Sequence, residues 1–211
     1  MYPGSLFMRY ALALVVLLSL IVCFFSKTIS FTEANFFHCP LLDRVFTYYT
    51  FLGDGLFAVI LIVGCLVLRK WDLAVKLLMA FLLSGLAAQI LKQFFHAPRP
   101  KAFFTEHFYT HFIEGVTHSG FNSFPSGHTT TAFAVAAILS FNCRKQITCT
   151  IAFWMAVLVG YSRVYLGQHF VEDVLAGMIT GIASAVLIEY LYKVYFKKPS
   201  VIAYEQPAIG V

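Results

Sequence analysis

The chain has 211 residues, 60% of them hydrophobic and only 12% charged, with a mean hydropathy of +0.79. A soluble domain runs at about 45–50% apolar and about 25% charged, so an ordinary globular core is excluded and a membrane protein is expected. The formal charge of +5 comes without a basic helix or an aromatic-rich RNA motif, which argues against a nucleic-acid partner and leaves most of the cations as topology signals.

Six apolar segments follow in chain order: Tyr10–Phe25, Phe51–Leu68, Leu73–Leu91, Thr129–Phe141, Ile147–Tyr161 and Val171–Tyr192. A spanning helix needs roughly 17–25 residues. The fourth and fifth fall short of that and must extend into flanking residues or sit in thinned bilayer. The first follows Arg9, as a signal peptide would, but its exit Phe25-Ser26-Lys27-Thr28 lacks a small-x-small cleavage pattern, which predicts a retained helix. The expected fold is all-α: a polytopic bundle of six transmembrane helices over residues 1–198, with no internal repeat and no second domain. Residues 199–211 contain Pro199 and Pro207 and are expected to form a disordered tail.

With both termini cytoplasmic, the inner segments carry Arg9, Arg69, Lys70, Lys76, Arg144, Lys145, Lys193, Lys197 and Lys198. The outer segments carry Lys27, Arg44, Lys92, Arg99, Lys101 and Arg163, spread over much longer loops. The positive-inside rule therefore places Ser26–Thr50, Lys92–His128 and Ser162–Phe170 outside the cytoplasm.

The longest outer segment holds Phe103, Phe104, Phe108 and Phe112 among His107 and His111. Phe104, Phe108 and Phe112 recur every fourth residue, the spacing of one face of a short interfacial helix; a packed loop is the equal alternative. His107, His111 and His118 read as loop residues of the interface, with no metal site among them. The five cysteines, Cys23, Cys39, Cys65, Cys143 and Cys149, show neither CxxC spacing nor a metal pattern.

Charged residues near membrane depth are costly and mark functional sites by default, and three clusters of them fall on the same outer face. In the first, Lys92 ends the third span and Arg99 follows between Pro98 and Pro100, whose restricted backbone presents the guanidinium from a stiff loop. A point charge and a fork together suit an oxyanion with several oxygens. In the second, Pro125-Ser126-Gly127-His128-Thr129 opens the fourth span. Ser126 can cap the helix, Gly127 permits close backbone approach, and the first-turn N–H groups form an anion site beside His128. In the third, Ser162-Arg163 ends the fifth span and His169 opens the sixth, four residues before Asp173. At that spacing on a helix, a carboxylate fixes the imidazole tautomer and leaves the other ring nitrogen as a nucleophile.

These residues resemble the type 2 phosphatidic acid phosphatase family, which is related to the vanadium haloperoxidases. The family pattern K-x6-R-P, P-S-G-H and S-R-x5-H-x3-D is matched at Lys92, Arg99, Pro100, Pro125, Ser126, Gly127, His128, Ser162, Arg163, His169 and Asp173. The resemblance implies an integral membrane phosphatase in which His169 attacks phosphorus, Asp173 supports its imidazole and His128 protonates the departing oxygen. It implies phosphoryl contacts from Lys92, Arg99, Arg163, Ser126 and Gly127, and a phosphate or supporting contact from Ser162. No metal and no cofactor are needed, because three cations and a helix N-terminus supply the charge stabilisation. The implied partner is a phosphorylated lipid in the bilayer. Undecaprenyl diphosphate, phosphatidylglycerol phosphate, phosphatidic acid and lipid A phosphates all fit, with a lean toward a bacterial envelope lipid handled at the periplasmic face of the inner membrane. A vanadium haloperoxidase is disfavoured by the apolar spans. A lipid-phosphate carrier would favour helices broken at the bilayer midplane, and none is read.

Overall fold

The computed structural model describes residues 3–104, 109 and 111–196, and every regular element among them is helical. Each apolar segment lies in helix for a physical reason. Hydrocarbon offers the backbone no hydrogen bonds, and within one segment only a helix supplies them all. The elements are α1 (Pro3–Phe24), α2 (Lys27–Ala34), α3 (Pro40–Tyr49), α4 (Gly55–Val67), α5 (Trp71–Phe95), α6 (Pro100–Phe103), α7 (Gly127–Asn142), α8 (Gln146–Tyr165) and α9 (Val171–Tyr195).

Helices α1, α5, α8 and α9 are long and apolar enough to cross a bilayer. The pair Pro40–Gly53 and Gly55–Val67, bent by 53° at Asp54, makes a fifth crossing if it counts as one span. The chain is an integral membrane protein. Along α5, Leu78, Leu82, Leu86, Ile90 and Phe94 stand exposed at every fourth residue, a stripe that only lipid can cover without cost.

The second apolar segment departs from its expected form. It does not run unbroken from Phe51: a 3-10 turn, Thr50–Gly53, continues α3, and Asp54 then caps α4 by accepting from Leu56 N at 2.8 Å. The fifth segment gains a full turn at its end, so α8 has 20 residues. The fourth gains little. At 16 residues α7 rises only about 24 Å, short of the roughly 30 Å hydrocarbon core.

Helix α7 tolerates its length because protein surrounds it. It is buried along nearly its whole length and packs against α5, α8 and α9. Alanines at 132, 134, 136 and 137 let those neighbours close in. The tightest approach is to α9, where Gly177 and Gly181 face α7. A Cβ on Gly181 would overlap the Thr130 carbonyl oxygen and stand 3.0 Å from Ala134 N. The far end of the bundle is tied by a buried ion pair, Lys76 Nζ to Glu189 Oε2 at 3.0 Å, with Asn142 Oδ1 accepting from the same ammonium at 2.8 Å. Those three side chains belong to α5, α9 and α7. Helix α1 joins through Phe7, edge-on to Phe141 and Phe153.

The aromatic segment reads as a packed loop where it is described. Phe104 is extended rather than helical, and no helix includes Tyr109 or His111–Ile113. Phe104 and Tyr109 instead pack with Phe31, and Phe104 also meets Phe170. His107 and Phe108 lie outside the described residues, as does the 199–211 tail.

The α7–α9 contact yields a test of this packing. Gly181→Ala should force the helices apart, costing about 1–3 kcal/mol and lowering the melting temperature of the protein in detergent. Gly85→Ala on α5, where an added Cβ meets nothing within 4 Å, should be neutral or slightly stabilising. Equal melting temperatures for the two variants would refute the backbone contact.

Candidate active site

The C-terminal ends of α5 and α8 and the N-terminal ends of α7 and α9 converge at one end of the bundle. Around them lies a cavity of about 420 Å³, lined by Lys92, Arg99, Gly127, His128, Arg163 and His169 among others. Residues from all three sequence clusters therefore share one space, although 77 positions separate the first from the last (169 − 92 = 77).

His169 is placed by a turn. Helix α8 ends at Tyr165, and Gly167 adopts φ +63°, the left-handed conformation that glycine accepts without strain. The reversal lets the Gln168 and His169 amides both donate to the Arg163 carbonyl, at 3.0 and 3.2 Å. His169 thus sits just before α9 rather than on it. Asp173, in the first turn of α9, still reaches back: its Oδ2 lies 3.5 Å from His169 Nδ1. The same Oδ2 accepts from Ser123 Oγ at 2.5 Å and from Phe170 N at 2.8 Å, and Ser123 Oγ lies 3.3 Å from His169 Nδ1. Both side chains are buried. With Nδ1 turned toward the serine and carboxylate, Nε2 is the ring nitrogen left for the cavity. Burial pushes the His169 pKa down to about 4; Asp173 opposes the shift, while Arg163 and Arg99 reinforce it. The imidazole is therefore neutral near pH 7 and carries a free lone pair.

The cations are held individually. Arg163 is buried; its Nη1 donates to Thr50 Oγ1 at 2.8 Å, and its Nε has no hydrogen-bond partner. Arg99 donates through Nη1 to Gln168 Oε1 at 2.5 Å, and Gln168 Nε2 in turn donates to the Val116 carbonyl. Lys92 lines the cavity from the last turn of α5. His128 Nε2 lies 3.7 Å from Asp54 Oδ2. Three cations meet one buried carboxylate and one half-exposed one, which leaves net positive charge beside the N-terminus of α7. That arrangement can bind a multiply charged oxyanion.

Two sequence-derived candidates stand back from the cavity. Ser126 is fully buried, and its Oγ accepts from Thr129 Oγ1 at 2.9 Å and from Thr129 N at 3.5 Å, so it caps α7 instead of facing the ligand space. Ser162 donates to the Val159 carbonyl at 2.6 Å, a bond within its own helix, and does not line the cavity. Conversely, Ser123, Gln168, Thr50 and Asp54 escaped the sequence reading. Ser123 and Gln168 neighbour the motifs, which was their only signal. Thr50 and Asp54 come from another segment and had none.

A model of the PAP2 superfamily matches residues 73–197, and the chain belongs to that superfamily. Phosphatidylglycerophosphatase B of Bacillus subtilis (strain 168) is 34% identical over 164 residues, which cover 71% of this chain and 75% of that protein. The crystal structure of Aquifex aeolicus LpxE matches with a TM-score of 0.66 at 34% identity, covering 76% of this chain and 92% of that one. The transmembrane PAP2-type phosphatidylglycerolphosphate phosphatase from Bacillus subtilis matches with a TM-score of 0.69 at 29% identity, covering 94% of this chain and all of that one.

The Ser123–Asp173–His169 arrangement sets two expectations. Ser123→Ala removes a hydrogen bond to a buried carboxylate and should lower kcat roughly tenfold with KM little changed, since Ser123 does not line the cavity. An unaltered kcat would dismiss the serine as a positioning residue. Because a depressed imidazole pKa keeps the ring neutral until acid pH, kcat/KM should lose its His169-dependent activity only as pH falls toward about 4. The substrate's own phosphate ionisation must first be divided out of the profile. A His169 limb near the ordinary value of about 6.5 would contradict the buried setting.

Proposed function

We propose that the protein removes a phosphate from a bacterial envelope lipid through a phosphohistidine on His169. The chain is a membrane lipid phosphatase, as its relatives are. The observation that carries the mechanism is a neutral His169, backed by Asp173 and Ser123, in a cavity that also holds Lys92, Arg99 and Arg163.

The lipid phosphate binds with its oxygens on the three cations and on the amides at the N-terminus of α7. Nε2 of His169 attacks phosphorus; the P–N bond forms as the P–O bond to the lipid breaks, and His128, which takes up a proton as the anionic phosphate binds beside it, gives that proton to the departing oxygen. Positive charge then rests on the imidazole and is stabilised by Asp173. A water, deprotonated by His128, attacks phosphorus and breaks the P–N bond. Free phosphate and both starting histidines result. The chain's own cations stabilise charge throughout. Ser126 and Ser162 act by holding helix ends in place.

A lipid substrate also accounts for a second feature. An apolar cleft of about 260 Å³ between α4, α7 and α8 is lined by Leu52, Leu61, Ala132, Ala156 and Val159, among others. Ala132 lies one turn below His128, and Val159 one turn below Arg163. A headgroup in the charged cavity would place hydrocarbon against that cleft.

Six crossings, with α7 as the short one, put both termini in the cytoplasm and the cavity at the outer, periplasmic face. The basic residues Arg69 and Lys70 between α4 and α5, and Arg144 and Lys145 between α7 and α8, support this orientation. Lipids made on the cytoplasmic leaflet must then be flipped before they are hydrolysed.

The deciding experiment is phosphate release by the purified protein from phosphatidylglycerol phosphate, phosphatidic acid, undecaprenyl diphosphate and lipid A. Turnover should persist in EDTA and be inhibited by vanadate, and His169→Ala should form no phosphoenzyme. Strict dependence on added magnesium, or a phosphoenzyme in His169→Ala, would overturn the mechanism. For orientation, a membrane-impermeant thiol reagent applied to sealed spheroplasts should label Cys39 and spare Cys143. The Cys149→Ser background is the one to use, since Cys149 Sγ lies only 2.8 Å from Cys143 Sγ. Labelling of Cys143 alone would invert the topology.

A further inference from the structure

Outside the catalytic cavity, on the same end of the molecule, a second group of side chains gathers. His38 lies in the link between α2 and α3, Asp43 in the first turn of α3, and His111 between α6 and α7. One donor atom from each lies within 4.8 Å of the other two. His111 Nε2 is 3.2 Å from Asp43 Oδ1, already the separation of two donors on one small cation. The His38 and His111 rings face each other at 3.7 Å, tilted by 29°. Tyrosines hold the group from behind: Tyr109 Oη lies 3.0 Å from His38 Nε2, and Tyr165 Oη donates to Asp43 Oδ1 at 2.7 Å.

We infer that His38, Asp43 and His111 form a binding site for one zinc ion, separate from the phosphatase centre. Two imidazoles and one carboxylate are a borderline ligand set that suits zinc; magnesium and calcium call for oxygen ligands throughout. Zinc bonds of about 2.0–2.2 Å put tetrahedral donors roughly 3.3–3.5 Å apart. The His111–Asp43 pair, at 3.2 Å, needs to open only slightly to reach that distance, and the larger adjustment falls to His38, which must turn out of its stack to close the site. Partial exposure of the His111 and Asp43 side chains leaves room for water as the fourth ligand. The tyrosine contacts to His38 and Asp43 are the kind of outer partner that orients metal ligands.

The position gives the ion a role. Gly115, Val116 and His118, a few residues after His111, line the wall of the catalytic cavity, and α3 supplies Thr47 to the same wall. The Val116 carbonyl holds Gln168, which holds Arg99. An ion on His38, Asp43 and His111 fastens this wall to α3 without touching the reacting phosphate.

The test is zinc binding by the purified, chelator-treated protein, followed by calorimetry and by the melting temperature. The expected result is one zinc per chain and a rise in melting temperature. His111→Gln and Asp43→Asn should each weaken binding at least tenfold, and magnesium or calcium at equal concentration should not compete. Cobalt in the wild-type protein should give the visible absorption of a four-coordinate N/O site, a readout that needs no variant to fold. Absence of stoichiometric zinc binding, or wild-type affinity retained in both variants, would overturn the inference. The catalytic reading is judged separately, because the zinc-free protein should still release phosphate.

Discussion

Everything at the working end of this protein follows from one electrostatic constraint: Lys92, Arg99 and Arg163 share a single cavity at the edge of an apolar bundle. Cations in that setting repel one another and lose hydration, and neither cost vanishes without a counter-charge. The chain supplies only part of one. Asp173 is buried behind His169, and Asp54 stands beside His128, half exposed. The remainder is left to a ligand, and the oxygens of a phosphate fit because the N-terminus of α7 opens onto the same space. Burial is what keeps the His169 imidazole neutral, and Arg163 and Arg99 add to that effect against the pull of Asp173.

A cavity of that kind needs rigid walls, and the packing of α7 supplies them. Helix α7 carries His128 at one end and Asn142 at the other, with α9 drawn against its backbone through Gly177 and Gly181. At the far end, Lys76, Glu189 and Asn142 bind α5, α9 and α7 to one another. Buried ion pairs of this sort seldom add much net stability, but removing one partner leaves an uncompensated charge and costs about 3–5 kcal/mol. The three helices are thus held in register at the end opposite the chemistry, while the catalytic end stays open to a headgroup.

The backing of His169 shows how local and distant structure combine. The left-handed turn at Gly167 and the first turn of α9 are local, and they bring Asp173 to the imidazole. Ser123 arrives from a loop 46 positions earlier to share the same carboxylate oxygen. Oxygen Oδ2 of Asp173 therefore has donors from both Ser123 and Phe170.

The sequence by itself determined the helical class and the membrane setting, and it singled out Lys92, Arg99, Gly127, His128, Arg163 and His169, which the fold brings to one cavity. Those properties rest on apolar run length, helix-end chemistry and the spacing of charged groups, all of which are local. For the short fifth segment it left extension and a thinned bilayer both open, and α8 extends by a turn. What it could not determine was which side chains face the cavity. Ser126 and Ser162 stand in the motifs, yet their hydroxyls are taken by Thr129 and by the Val159 carbonyl. Thr50 and Asp54 carried no sequence signal, and they reach the site because the 3-10 turn after α3 and the start of α4 converge there. The aromatic period of Phe104, Phe108 and Phe112 equally suited a helix or a loop, and contacts of Phe104 with Phe31 and Phe170 decided its described part. His38, Asp43 and His111 are separated by up to 73 positions (111 − 38 = 73), so only tertiary packing could make them neighbours. Periodicity reports what a segment can do alone; which groups meet depends on chain reversals and helix packing that no single segment encodes.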